Sequence, residues 1–173
     1  GEAGGVTISG GEPLLQWEFV AELFRRLKEE EIHTALDTSG SGSTEGAREV
    51  LRHTDLVLCD LKFPTEEGYQ THCGGSLKQV QAFLDLTQQL AIPLWIRHVV
   101  VPGLTDSRDS VTDIAEIAKR YANLNKLELL PFRKLCAAKY EALDIPFPLA
   151  ECEECPEDLI RELNDFARSI LLE

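Results

Sequence analysis

Methionine is missing from the sequence, at its first position as everywhere else. The first strand-like pattern begins within a few residues of Gly1, so the chain reads as a piece of something longer. Equally absent is an apolar run approaching the roughly 20 residues that cross a bilayer. The opening GEAGGVTISGG has neither the basic start nor the apolar stretch of a signal peptide. These absences leave the cytoplasm as the expected location. Positive charge is scarce: 17 Lys and Arg stand against 30 Asp and Glu, a net charge of −13. Nucleic-acid backbones and anionic membranes attract cationic surface, so neither is expected as a partner. Cysteines are five, an odd number at irregular spacing, which argues against a disulfide framework.

What is present is an ordinary globular composition, 43% hydrophobic and 27% charged, in 173 residues. That length suits one domain with a core of its own. Short β-rich runs alternate with stretches of 3.6-residue period. Strands are expected at Gly5 to Ser9, His33 to Asp37, Leu56 to Asp60, Leu94 to Val101 and Lys126 to Leu130. Helices are expected at Trp17 to Glu30, Glu45 to Arg52, Ser76 to Leu90, Ser107 to Tyr121 and from Pro156 to Leu172. No repeat or linker divides them. Alternating strands and helices imply βα units and a parallel sheet. A single α/β domain over 1–173 is expected, starting abruptly on a strand as though its first unit were missing.

The unusual polar residues gather at strand ends. In order, the strands run into Gly10-Gly11-Glu12, Asp37-Thr38, Asp60-Leu61-Lys62, Pro102-Gly103 and Pro131-Phe132-Arg133, with Arg97 inside the fourth. Ligands of parallel α/β sheets bind at the carboxyl ends of strands, so this pattern predicts a polar site at one rim. Two glycines let backbone approach a ligand and leave carbonyls free for an ammonium, although a tight turn needs them too. Asp60 and Lys62 share a face, suiting a ribose or a carboxylate, or forming only a local ion pair. Asp37 beside Asp60 would place two carboxylates together, which then share a proton or bind a cation. Arg97 in an apolar strand needs a carboxylate nearby. The neighbouring His98 should face the other way in a structural role, and Trp17 and Trp95 read as core. Cys152 and Cys155 form a CxxC with too few ligands around it for a metal site, with Cys136 upstream. Cys59 and Cys73 read as buried or incidental thiols.

The blocks GGVTISGGEPLLQWEFVAELFRRLKEEEIHTALDTSG, DLVLCDLK, WIRHVVVPGLTD and KLELLPF occur in this order from Gly4 to about Tyr140. Together they resemble the activating enzymes of glycyl radical enzymes, within the radical SAM superfamily, and most of all the pyruvate formate-lyase activating type. The resemblance implies a partial (β/α)6 barrel of which about five parallel strands are present. It implies S-adenosylmethionine and a [4Fe–4S] cluster, an electron donor such as flavodoxin, and a glycyl radical enzyme as partner. A 5′-deoxyadenosyl radical would abstract hydrogen from the partner's glycine. Gly10, Gly11 and Glu12 would hold the methionyl amino group, and Asp60 and Lys62 would contact ribose and carboxylate. Asp37, Thr38 and Asp60, with the Leu58 carbonyl, would surround a monovalent cation, and Arg97 would lie on the same rim. Arg133 stands where the family commonly has His, and would offer its guanidinium to an anionic group. The cluster motif CxxxCxxC does not occur in these residues, so catalysis is expected only with an upstream cysteine segment. The alternatives are a nucleoside-binding module without catalysis and a lyase using Lys62 as a Schiff-base amine.

Overall fold

The computed structural model describes residues 4–172; the domain expected over 1–173 therefore extends beyond the described residues at both ends. Five strands form one sheet: β1 (Gly5–Ile8), β2 (His33–Thr38), β3 (Leu56–Asp60), β4 (Leu94–Val100) and β5 (Leu124–Pro131). Neighbours in sequence are neighbours in space, and every pairing is parallel. The sheet is open, with β1 and β5 at its edges.

Between the strands lie α1 (Trp17–Glu29), α2 (Thr44–Leu51), α3 (Glu66–Cys73), α4 (Leu77–Gln89) and α5 (Arg108–Lys119), and after β5 come α6 (Ala137–Ala142) and α7 (Glu157–Leu172). Their starts are written in the sequence. Ser43, Thr65, Ser76 and Ser107 each accept the N–H three residues on, satisfying a donor that the first helical turn leaves free. Gly74 closes α3 in the left-handed conformation.

Burial alternates along β3 and β4. Val57, Cys59, Leu94, Ile96, His98 and Val100 are buried, while Leu58, Asp60, Trp95, Arg97 and Val99 are half-buried. The first set packs in one core with Val20, Phe24, Val50, Leu84, Ile114 and Leu163 of the helices. The second set faces outward from a sheet whose strands are all parallel. Such sheets are ordinarily covered on both faces; here one face is open and carries the charged residues.

Three short elements differ from the sequence expectation. A 3-10 turn spans Pro13–Gln16, and α3 and α6 are eight and six residues long. Segments this short hold too few periods for an apolar stripe to show. The fifth strand also begins two residues early, because Leu94 pairs with Leu124 but Trp95 with Lys126, leaving Asn125 as an extra residue in a bulge. Trp95, expected in the core, lies on the open face, where the Lys126 ammonium sits 4.8 Å from its ring centre.

Candidate functional site

On the open face, near the carboxyl ends of β2, β3 and β4, three side chains meet. Register places Asp60 directly across from Arg97. The Arg97 guanidinium donates to Asp60 Oδ1 from Nε at 3.0 Å and from Nη2 at 2.8 Å. It donates to Asp37 from Nη1 at 3.2 Å and through a second bond from Nη2. The carboxylate partner that an arginine in an apolar strand requires is therefore double. The two acids share one guanidinium, and the positive charge between them belongs to the protein. Burial alone would push the Arg97 pKa down, but Asp60 and Asp37 hold it above its ordinary value.

The residues expected to surround a cation come together only in part. Asp37 is in register with Leu58, and both carboxylates converge as described. The Thr38 hydroxyl turns instead to Glu12, donating to Oε1 at 2.6 Å while accepting the Gly40 N–H at 2.9 Å. Among the described residues, no group of three or more His, Cys, Asp and Glu side chains is placed to hold a metal ion.

After β1, Gly10 takes φ +145°, which only glycine adopts readily. A Cβ at Gly10 or Gly11 would meet nothing within 4 Å. Open space thus adjoins the glycine pair.

The exit from β3 is held from three directions. Leu61 N–H donates to the Arg97 carbonyl at 2.9 Å. The Leu61 carbonyl accepts from His98 Nδ1 at 2.8 Å, a contact that fixes the proton on Nδ1. The Lys62 N–H donates to the Tyr69 hydroxyl at 2.9 Å. Tyr69 is buried, and burial pushes its phenol pKa up, keeping it neutral. The sequence reading missed Tyr69; its only signal was one aromatic in the polar run EEGYQTHC. Lys62 Nζ lies 3.4 Å from Asp60 Oδ2. Beyond this pair opens a cavity of about 420 Å³, lined by Lys62, Phe63, His72, Val99, Tyr140 and Phe147 among others. Its walls include the Phe63–His72 stack, 4.9 Å between centroids, and the Tyr140–Phe147 pair, also 4.9 Å.

Arg133 is not part of this rim. Its guanidinium donates to the Cys155 carbonyl and to Glu157, and is absent from the cavity lining. The connection is strongly acidic, with Glu151, Glu153, Glu154, Glu157 and Asp158 close together in sequence, and the nearest arginine is drawn to it. Cys155 is buried and Cys152 half-buried; of the two thiols expected to be buried or incidental, Cys59 is buried and Cys73 exposed.

An open parallel sheet with a glycine loop and charged groups at its strand ends is an α/β fold of the kind that binds ligands there, and a family model narrows the class. The model of the radical SAM superfamily matches residues 1–124. The chain is 40% identical over 168 residues to the pyruvate formate-lyase-activating enzyme of Clostridium pasteurianum, covering 97% of this chain and 70% of that one. It is 34% identical to the enzyme of that name from Staphylococcus epidermidis, covering 92% and 66%. A domain of a pyruvate-formate lyase-activating enzyme from Bacteroides vulgatus has the same fold, with a TM-score of 0.77 at 24% identity, covering 96% of this chain and 94% of that domain. The chain belongs to the pyruvate formate-lyase-activating enzyme family of the radical SAM superfamily. It spans about two thirds of the length of the curated relatives it matches.

Proposed function

We propose that this chain is the S-adenosylmethionine-binding portion of a radical SAM activating enzyme that installs a glycyl radical on a partner of the pyruvate formate-lyase type. The observation carrying the reading is the Asp37–Arg97–Asp60 cluster on the open face at the strand ends, beside the lysine-edged aromatic cavity. The donor set suits the ligand. An α-ammonium needs acceptors, and the Gly10–Gly11 backbone offers carbonyls that no side chain shields. A carboxylate needs cations: Lys62 is at hand, and Arg97, with four of its five N–H groups on Asp37 and Asp60, has one left to offer. Ribose hydroxyls need an acceptor and a donor side by side, as Asp60 and Lys62 are. A nucleobase presents flat faces, which an aromatic-lined cavity accommodates. A monovalent cation, in this reading, would join Asp37 and Asp60 only if Arg97 turned to the ligand.

When bound, S-adenosylmethionine would supply, on one-electron reductive cleavage to methionine by the reduced cluster of the full-length protein, the 5′-deoxyadenosyl radical for hydrogen abstraction from the partner's glycine. The chain's own residues bind and orient it and exclude water. The cysteines present do not fit an iron–sulfur cluster: Cys59 is buried with its thiol pKa pushed up by burial, and the others form no ligand set among the described residues. In this reading the cluster ligands lie outside the sequence, and an electron donor such as flavodoxin feeds them. The single α/β domain expected over 1–173 is, in this reading, one part of the whole. Arg133 is left out of the ligand-binding set because Cys155 and Glu157 occupy it. The lyase alternative gains nothing from Lys62, which is 42% exposed and paired with Asp60 rather than desolvated.

The test is anaerobic. Full-length protein, reconstituted with iron and sulfide and reduced with S-adenosylmethionine, releases 5′-deoxyadenosine and raises a glycyl radical signal in pyruvate formate-lyase. Release without that signal moves the target to another glycyl radical enzyme. No 5′-deoxyadenosine overturns the reading.

A further inference from the structure

Glu12 departs from the role the family resemblance gives it. A carboxylate offers about four acceptor directions, and four donors from within the chain fill them. Oε1 accepts the Leu14 N–H at 3.0 Å and the Thr38 hydroxyl at 2.6 Å. Oε2 accepts the Ser39 N–H at 2.9 Å and the Ser39 hydroxyl at 2.5 Å. The Thr38 hydroxyl has no freedom to turn away, since it accepts the Gly40 N–H and its proton must point to Glu12. None of these bonds is left over for a ligand's ammonium.

Among the described residues these are the hydrogen bonds that join the two loops, beside the packing of Leu14 against Gly42. Pairing of β1 with β2 ends at Ile8 and Leu36. Three residues, Ser9 to Gly11, then separate the last paired residue from Glu12. Glu12 caps the Pro13–Gln16 turn through Leu14 and grips the end of β2 through Thr38 and Ser39. The glycine loop is thereby pinned at both ends. Glycine loses more conformational freedom on ordering than any other residue, so an unpinned glycine pair would charge that entropy to every binding event.

We propose that Glu12 is a positioning residue that touches no ligand: it clamps the β1 loop to the β2 end, so that the Gly10–Gly11 backbone is already in place as acceptor for an ammonium. The inference rests on reading the rim as an S-adenosylmethionine site. It assigns the Thr38 proton and Ser39 to the clamp as well.

Calorimetric titration of the full-length protein with S-adenosylmethionine tests it through a double-mutant cycle. Glu12→Gln puts an amide N–H₂ against two donors and breaks one side of the clamp. Binding is expected to weaken about tenfold, the low end of what a charge-assisted hydrogen bond contributes, and Ser39→Ala, which keeps the Ser39 N–H bond, to cost a few-fold. Because both act through one clamp, the double variant binds no worse than Glu12→Gln alone. Leu163→Ala, a core change on α7 remote from the loop, lowers the melting temperature yet binds as wild type. Additive losses, or unchanged affinity in Glu12→Gln, overturn the clamp while leaving the site reading intact. An equal loss in Leu163→Ala also overturns it, by reducing the effect to general instability. Should Glu12→Gln fail to fold, Ser39→Ala decides by a loss or by none. Absence of binding in the wild type overturns the site reading, and the clamp with it.

Discussion

His98 and Arg97 are adjacent in sequence and face opposite ways, and each carries a consequence that one substitution can reach. His98 is buried on the helix side, and burial lowers its pKa below the ordinary 6.5. The unfolded chain therefore takes up a proton near pH 6.5 that the folded chain refuses until lower pH. Stability is unaffected above that value and falls as pH drops below it. His98→Asn keeps a donor for the Leu61 carbonyl and removes the titration. Thermal melts from pH 7.5 to 5 should show a smaller loss in this variant than in the wild type, and equal slopes would refute the assignment. Arg97 neutralises two carboxylates whose side chains are only 21% and 25% exposed. Arg97→Met leaves Asp37 half-buried without a cation and Asp60 with only Lys62, 3.4 Å away, and should cost about 2–4 kcal/mol in urea unfolding. Adding Asp37→Asn to Arg97→Met should return part of that loss. The need for a partner at Arg97 was legible from a cation in an apolar strand. That one guanidinium would serve both acids was not, because it depends on how β2, β3 and β4 stagger across the sheet.

At the scale of elements, the long strands and helices were legible and the short ones were not. Leu77–Gln89 and Glu157–Leu172 carry enough turns for an apolar stripe to show, and both begin within a residue or two of the expected start. The exposed, polar α3 carries a weak stripe, so the element that brings Tyr69 under Lys62 stayed invisible. The order of the strands was implied only as a parallel sheet; the sequential arrangement emerges from the pairings. One edge device was equally hidden. Asn164 on α7 accepts the Leu129 N–H at 3.1 Å and donates to the Leu129 carbonyl at 3.0 Å, mimicking a strand at the β5 edge. It also donates to the Ile160 carbonyl at 2.9 Å. Exposed edges invite pairing with other chains, and this side chain occupies one. Asn164→Ala should lose about 1–3 kcal/mol of stability and raise hydrogen exchange at the Leu129 amide. Affinity for S-adenosylmethionine should be unchanged, since Asn164 lies far along the sheet from Gly10. A matching loss of affinity would mean that β5 and the rim are coupled.

For the whole molecule, the decisive feature is the division of the sheet into a covered face and an open one. Buried apolar residues on the covered face hold the chain together, and Asp37, Asp60, Arg97 and Lys62 gather at the strand ends on the other. A parallel sheet left open is costly in exposed apolar surface, and Lys126 lies over Trp95 on that face. The account stands on the claim that this rim binds S-adenosylmethionine, with Asp60 at its centre through both Arg97 and Lys62. Anaerobic equilibrium dialysis of the full-length protein against radiolabelled S-adenosylmethionine, in wild type and in Asp60→Ala, measures it directly. The account predicts saturable, stoichiometric binding that weakens at least about tenfold in the variant; wild-type affinity in Asp60→Ala, or no binding in the wild type, would contradict it.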